Sequence, residues 1–552
     1  MLKASIGRSG REGVEMGEST RLQSLLDQEP TRRQVLRGAV MGTGSLLVGS
    51  SLAGLLEACG QAGGAPQGGG GKAGGTLVFG LSSYPPTLHP FQNTGTAAAT
   101  VRLAAYRGLI GYDAKGNLAP EIAESWQADG DRAYVFKLRK NAKFQNGDPV
   151  TAEDVRYTFQ FARDPKSTAY VSPQLQSVAD VSATEDKTVR ISLNTPFAAF
   201  LPLLATPYLP IISKRAHQAN PNDFVGAGPF TIKSQEQGTK IEVVKFPDYY
   251  KAGLPKLDGI RFVAYADDDL RVTALRAGDV QLIEYVPWQD MVSISKNKKL
   301  ALQTTDGPFM YLIFNVTSGP FSKPQVRQAI GYAIKREDIL AAAFFNQGST
   351  LKGVPVPQSS PYYSQKAASF WTYDLDKAKK LLSDGGFPNG FSASLLSTAQ
   401  YGMHKDTSVV VQESLAKVGI KVDLKLPDWP TRVSQGNKGQ YDFAVMGSAG
   451  DYNDPDFLTN FLSGPASYIR SFGFSDDSVN KLLEQGRSTV EQSKRKQIYD
   501  QLQDLVLTQS PLVGLTWRSQ GYAMARTVNG FHNLPGFLSF YSGYSFDEVT
   551  VQ

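Results

Sequence analysis

The sequence predicts an α/β protein, and three observations carry that reading. Short β-type runs interleave with apolar stripes at helical spacing through the chain after residue 75. Composition is that of an ordinary globular protein, 41% hydrophobic and 20% charged, with 53 glycines and 31 prolines to supply turns. At 552 residues the chain exceeds what one core usually organises, so two or more domains are expected.

The elements follow in chain order. Residues 76–79 read as a short strand. Tyr134, Phe136 and Leu138 alternate with Val135 and Lys137, the period of two that marks a strand with one buried face. Thr151-Ala-Glu-Asp154 resembles a capping box with Asp in place of Glu, and Val155, Phe159 and Ala162 follow at helical spacing. Ser322-Lys-Pro-Gln325 is a second helix start, ahead of Val326, Ile330 and Ile334. Asp374 precedes a stripe through Leu375, Ala378 and Leu382, which Gly385-Gly386 stops. Val422, Leu424 and Leu426 alternate with Lys421, Asp423 and Lys425. Residues 441–446 form a further β-run ending at Gly447. Each stripe is read as core. No strong internal repeat or heptad array is present.

Several functions find no support. The formal charge is +6, from 57 basic and 51 acidic residues, without a long Lys/Arg block, so no nucleic-acid partner is expected. Cys59 is the single cysteine, which excludes an internal disulfide and a multi-cysteine metal site. The four histidines, His89, His217, His404 and His532, are far apart, and neither a metal nor a cofactor is expected. An exported hydrolase would need a nucleophile, a base and an oxyanion site, or a metal. No GxSxG, HExxH, SxxK or Walker A sequence occurs, so no enzyme is expected.

The first 58 residues read as an export signal. Thr31-Arg32-Arg33-Gln34-Val35 carries twin arginines, residues 38–56 are weakly apolar, and Leu56-Glu57-Ala58-Cys59 ends the run. The pattern resembles a twin-arginine signal with a bacterial lipoprotein cleavage box, although Glu57 stands where a small or neutral residue is usual. A general export signal, a permanent membrane span over 38–56 and an unmodified Cys59 are the alternatives. Residues 59–75 are Gly-rich and read as a flexible tether. Lipid on Cys59 would anchor a protein facing the periplasm or the cell exterior.

The body resembles the bacterial extracellular solute-binding proteins of family 5, the oligopeptide, dipeptide and nickel type. The residues that carry the resemblance are Leu118-Ala-Pro-Glu-Ile-Ala-Glu-Ser-Trp126 with the strand and capping box after it, and Gly226-Ala-Gly-Pro-Phe230. Pro247-Asp-Tyr-Tyr250, Ala274-Leu-Arg-Ala-Gly-Asp279, Phe314-Asn315, Val326-Arg-Gln-Ala-Ile330, Tyr441-Asp442 and Asp451-Tyr-Asn-Asp-Pro455 follow in the family's order. The resemblance implies a two-lobed periplasmic-binding-protein type II fold with an extra subdomain in the first lobe. Lobe I would cover 76–305, with the subdomain near 116–205; lobe II would cover 306–514; and 515–552 would return to lobe I. The implied function is capture of a small solute in the interlobe cleft and delivery to the permease of an ABC importer, by a monomer. A peptide is the favoured ligand, with a sugar or a metal chelate as alternatives. A ligand-presenting sensor subunit would share the fold.

The resemblance also implies site residues. Asp451 stands where oligopeptide binders pair a carboxylate with the ligand's ammonium group; the alternative is a turn cap. Trp429 matches a tryptophan near the ligand, and its alternative is core. Gly447 and Ser448 lie on a stretch whose backbone can pair with an extended peptide, and Thr94, Gly95 and Thr96 align with the opposing segment. Trp517 and Arg518 are further candidates. Ser448 stands where oligopeptide binders tend to have Trp, and Gly436 and Val445 stand where some carry arginines for the ligand carboxylate. Another basic group, Arg432 or Arg518, must then serve, or the ligand has no such group.

Overall fold

The computed structural model describes residues 74–552. Arg32, Arg33 and Cys59, with the signal and most of the tether, lie outside the described residues.

A mixed sheet of eleven strands runs through the described chain. Its spine is a pair of long antiparallel strands, Leu300–Phe314 and Leu512–Ala525. At one end Met524 of the second long strand pairs with Leu282, and through it the sheet continues to Thr76–Leu81, Gly259–Ala264, Lys240–Lys245 and Phe230–Glu236. At the other end Phe309 of the first pairs with Ser448, and the sheet continues through Phe443–Ser448 to Phe391–Leu396 and Ile420–Lys425. The two long strands therefore tie the two ends of the sheet together. Their register shifts between Asp306 and Phe309. Gly307-Pro308 explains the break. Pro308 has no N–H for the ladder, and a Cβ at Gly307 would stand 2.3 Å from the Gly536 carbonyl oxygen.

A separate four-stranded antiparallel sheet has the order Ala123–Ala128, Ala133–Leu138, Thr188–Leu193, Val178–Glu185. Phe136, Leu138, Val189 and Ile191 are buried beneath Val155, Phe159 and Ala162 of the helix Ala152–Arg163. That helix opens on a complete capping box. The Thr151 hydroxyl accepts from the Asp154 N–H at 3.3 Å, and the Asp154 carboxylate accepts from the Thr151 N–H at 2.9 Å. The second Asp154 oxygen accepts from the Lys214 N–H at 2.9 Å, so the cap also anchors the helix Lys214–Ala219.

The helix Thr96–Ala105 is buried along nearly its whole length. Its end explains the Gly-x-Gly-Pro-aromatic turn. A Cβ at Gly228 would lie 2.3 Å from the Ala105 carbonyl carbon, so backbone meets backbone there.

Three boundaries differ from the sequence reading. The helix Pro324–Ala333 is preceded by Lys323, not capped by Ser322, whose hydroxyl donates to the Gly319 carbonyl in a 3-10 turn. Proline at the first helical position makes the start, and Ile334 falls just past the end. The strand expected over 441–446 runs Phe443–Ser448. Asp442 is tied by Ser394, and pairing with Met310 and Phe309 carries the strand through Gly447 and Ser448. Leu426 lies beyond the strand Ile420–Lys425.

Candidate functional site

Three carboxylates stand close together after the strand Phe443–Ser448: Asp451, Asp454 and Asp456. Two are spent on arginines. Asp454 takes Arg495 through both oxygens, at 2.5 and 2.7 Å. Asp456 takes Arg487 through both, at 2.9 and 3.1 Å. Among the described residues Asp451 has no cation within ion-pair distance. Both its oxygens accept from the Tyr170 hydroxyl, each at 3.0 Å. Burial pushes its carboxyl up to about 6, against the pull of the Tyr170 hydrogen bond. The turn-capping role belongs to Asp454, which accepts from the Asp456 N–H at 2.9 Å.

Tyr170 reaches Asp451 from 281 residues away in the chain. It follows the helix Ala152–Arg163, and its N–H donates to the Phe91 carbonyl at 2.8 Å. Its ring meets Tyr208 edge-on at 4.9 Å, and Tyr208 meets Tyr541 at 6.2 Å. The buried Arg102 guanidinium lies 5.6 Å over the Tyr208 ring. Thr94 and Gly95 follow in the same loop as Phe91, and Thr96 opens the helix Thr96–Ala105. Gly95 has φ +105° with nothing near its missing Cβ, and the Thr94 hydroxyl is buried without a hydrogen-bond partner. These two features suit a segment that approaches a bound molecule.

Gly447 and Ser448 lie half-buried at the end of their strand. One edge pairs with Met310 and Phe309. On the other edge, Phe391–Leu396 pairs only with Phe443 and Ala444. The Val445 carbonyl there accepts from Arg432 at 2.6 Å. Backbone groups two residues apart face the same edge, so Gly447 turns its own toward the space beyond the ladder. A Cβ on Gly447 would come within 3.2 Å of His404 Nε2.

Trp429 begins the helix Trp429–Asn437 behind the Asp428 cap and is half-buried rather than core. Its ring meets Tyr401 at 5.4 Å and His404 at 5.6 Å, and Arg432 stands 4.9 Å over its face. Trp517 packs against Phe309 and Phe537, at 5.7 and 6.2 Å, as part of the main core's margin. Its neighbour Arg518 donates to the Tyr285 hydroxyl at 3.1 Å and to the Met403 sulfur at 2.9 Å.

The fold thus gathers Asp451 with the Phe91–Thr96 loop through Tyr170, and Gly447 with Trp429 through His404. Trp517 stands one strand over from Ser448, since Phe309 pairs with both. Sequence reasoning missed Tyr170, Tyr208, Tyr541 and His404, which belong to no motif. Among the described residues no group of three His, Cys, Asp or Glu could hold a metal, and no helix is long and apolar enough to cross a membrane.

Comparison with known proteins adds the following. The sequence pattern of Bacterial extracellular solute-binding proteins, family 5 Middle, matches residues 117–468. The chain is 30% identical over 491 residues to the glutathione-binding protein GsiB of Escherichia coli (strain K12), covering 86% of this chain and 94% of that protein. The structure of the PBP AgaA in complex with agropinic acid, from A. tumefacien R10, superposes with a TM-score of 0.79 at 42% identity, covering 87% of this chain and 99% of that one. The periplasmic binding protein DppA from Helicobacter pylori shares the fold, with a TM-score of 0.74 at 24% identity over 87% of this chain and 98% of that one.

Proposed function

The chain belongs to the bacterial extracellular solute-binding proteins of family 5 and has their two-lobed periplasmic-binding-protein type II fold; on that premise we propose that it captures a small, peptide-like solute carrying an ammonium group and delivers it to the permease of an ABC importer. The lobes are assigned as 76–305 with 515–552 and as 306–514, with the subdomain near 116–205.

One observation carries the ligand reading. Of the three carboxylates in the late block, Asp451 alone has no arginine, and it faces a tyrosine from the opposite lobe. A buried carboxylate without a cation is costly unless something else pairs with it. An ammonium group entering between the lobes would supply that partner through charge-assisted hydrogen bonds. Gly447 and Ser448 from one lobe and Thr94, Gly95 and Thr96 from the other would then meet the ligand's backbone, and Trp429 would pack on it. Trp517 supports this wall through Phe309 and Phe537.

The relatives' ligands agree in kind, since glutathione and agropinic acid are both small organic acids. The family and these relatives are binding proteins. The twin arginines at 32 and 33 and the cysteine at 59 support export and lipid anchoring, with the body working as a monomer outside the cytoplasm. Fractionating cells that carry Cys59→Ser tests the anchor: the variant should leave the membrane fraction, and retention there would speak for an uncleaved helix.

A melting-temperature screen tests the ligand class. Di- and tripeptides should raise the midpoint, and their N-acetylated forms should not, because only the free amine can pair with Asp451. If sugars shift the midpoint and peptides never do, the peptide reading is wrong.

A further inference from the structure

The Gly-x-Gly-Pro-aromatic turn does more than let backbones meet. A Cβ at Gly226 would stand 2.5 Å from Cδ1 of Tyr106, the residue that ends the helix Thr96–Ala105, so the glycine makes room for that ring. Gln145 fastens the same corner. Its N–H donates to the Gly226 carbonyl at 2.9 Å. Its Nε2 donates to the carbonyls of Ala105 at 2.8 Å and Phe230 at 2.6 Å. The corner walls a cavity of about 640 Å³, which the strand Phe230–Glu236 and residues 222–225 complete. That volume is within the range of small-molecule sites, roughly 300–1,000 Å³. None of the residues placed at the candidate site above lines it.

The lining narrows the class of occupant. It holds no lysine or arginine, and Asp223, which is exposed, is its one carboxylate. Burial and the Arg102 charge hold the His89 ring down toward its neutral form. An anion would therefore meet only repulsion. A cage for an organic cation needs free aromatic faces, but Phe224 is already taken: His217 lies along it at 4.8 Å and 31°, and His89 meets it at 4.5 Å. An extended peptide would need a clean sheet edge. Phe230–Glu236 is the last strand of its sheet, but its register slips between Ile232 and Ser234, the kind of irregularity that spoils an edge for added strands.

A neutral, hydroxyl-rich ring fits what is left. Among the described residues the side-chain amides of Asn222 and Gln235 and the Oε1 of Gln145 make no hydrogen bond, and an amide can both donate to and accept from a hydroxyl. The Tyr106 ring has no aromatic neighbour there, and its hydroxyl has no partner. Burial and the Asp223 charge hold that phenol well above its ordinary range, so it remains a donor. An aromatic ring beside neutral hydrogen-bonding groups presents an apolar face and polar ends together, as a sugar does.

We propose that this cavity is a second binding site, for a neutral sugar ring, in which Tyr106 packs on the ring's C–H face while Gln145, Asn222 and Gln235 bond its hydroxyls. The site does not rest on the solute reading above and shares no residue with it.

The test is saturation-transfer NMR with calorimetric titration of the full chain, using glucose, galactose, mannose, N-acetylglucosamine, maltose and cellobiose. At least one should bind at millimolar concentration; if none does, the proposal fails. A disaccharide that binds more tightly than its monomer would place the ring in a glycan chain, and equal affinities would make it a free sugar; both support the site. Asn222→Ala and Gln235→Ala should each weaken the sugar by about 3- to 10-fold, the worth of one net hydrogen bond, without lowering the melting temperature, since neither amide is bonded to the scaffold. The uronic acid of the sugar that binds should bind at least about threefold more weakly, and Asp223→Asn should erase the difference; an acid as tight as its neutral parent would overturn the proposal. Asp451→Asn and Trp429→Ala should leave sugar binding unchanged. If they abolish it while the Asn222 and Gln235 variants do not, the sugar sits at the other site and the proposal is overturned. Di- and tripeptide titrations of the Asn222 and Gln235 variants should match the parent; a shared loss would merge the two sites and overturn it as well.

Discussion

Burial holds the Asp451 carboxyl up at about 6, against roughly 3.9 for an exposed aspartate. Between those values the folded chain holds a proton that the unfolded chain has lost. Its contribution to stability is therefore present at pH 4 and lost as pH rises through 6. Scanning calorimetry should find Asp451→Asn melting above the parent at pH 7.5 and level with it at pH 4, without ligand. Ligand binding should show the opposite trend, since an ammonium group pairs with the ionised form. Affinity for a free-amine peptide should fall as pH drops from 7.5 to 5. Asp451→Asn should lose this dependence and bind at least about 30-fold more weakly, given the ~2–5 kcal/mol cost of breaking a buried charged pair. Tyr170→Phe removes the bond that pulls the Asp451 carboxyl down, so the midpoint of that pH profile should move upward. These residues were unequally legible. Asp451 could be singled out by its place in a motif; that its neighbours Asp454 and Asp456 are consumed by Arg495 and Arg487 could not, because those arginines lie 41 and 31 residues away.

Among the elements, the helix Ala152–Arg163 shows what local chemistry can settle. Its start was written in four consecutive residues, because a capping box needs only neighbours. Thr151→Ala should cost about 1 kcal/mol in denaturant unfolding. Gly228→Ala should cost more, at least about 2 kcal/mol, because its new methyl group meets main-chain atoms of Ala105 that cannot turn aside. If Gly228→Ala proved milder than Thr151→Ala, the close approach would be relaxed in solution. The strand Phe443–Ser448 shows the converse. Its apolar run pointed to 441–446, yet its ends are set by Ser394 on one side and by Met310 and Phe309 on the other. Strand ends are decided by partners, and partners are distant in sequence.

At the scale of the whole molecule, ligand should bind the folded chain alone. At a free concentration of 100 Kd it should add about 2.7 kcal/mol to stability, seen as a rise in melting temperature that grows with ligand concentration. By itself the sequence determined the α/β class and the family. Those rest on periodicity, on short motifs and on their order, which need no knowledge of distant contacts. Tertiary structure alone decided which groups stand together. It set Tyr170 against Asp451 across 281 residues and His404 against Trp429. A binding site between lobes is made of residues whose proximity the chain's folding creates, and whether a buried charge is satisfied can be read only once its neighbours are in place.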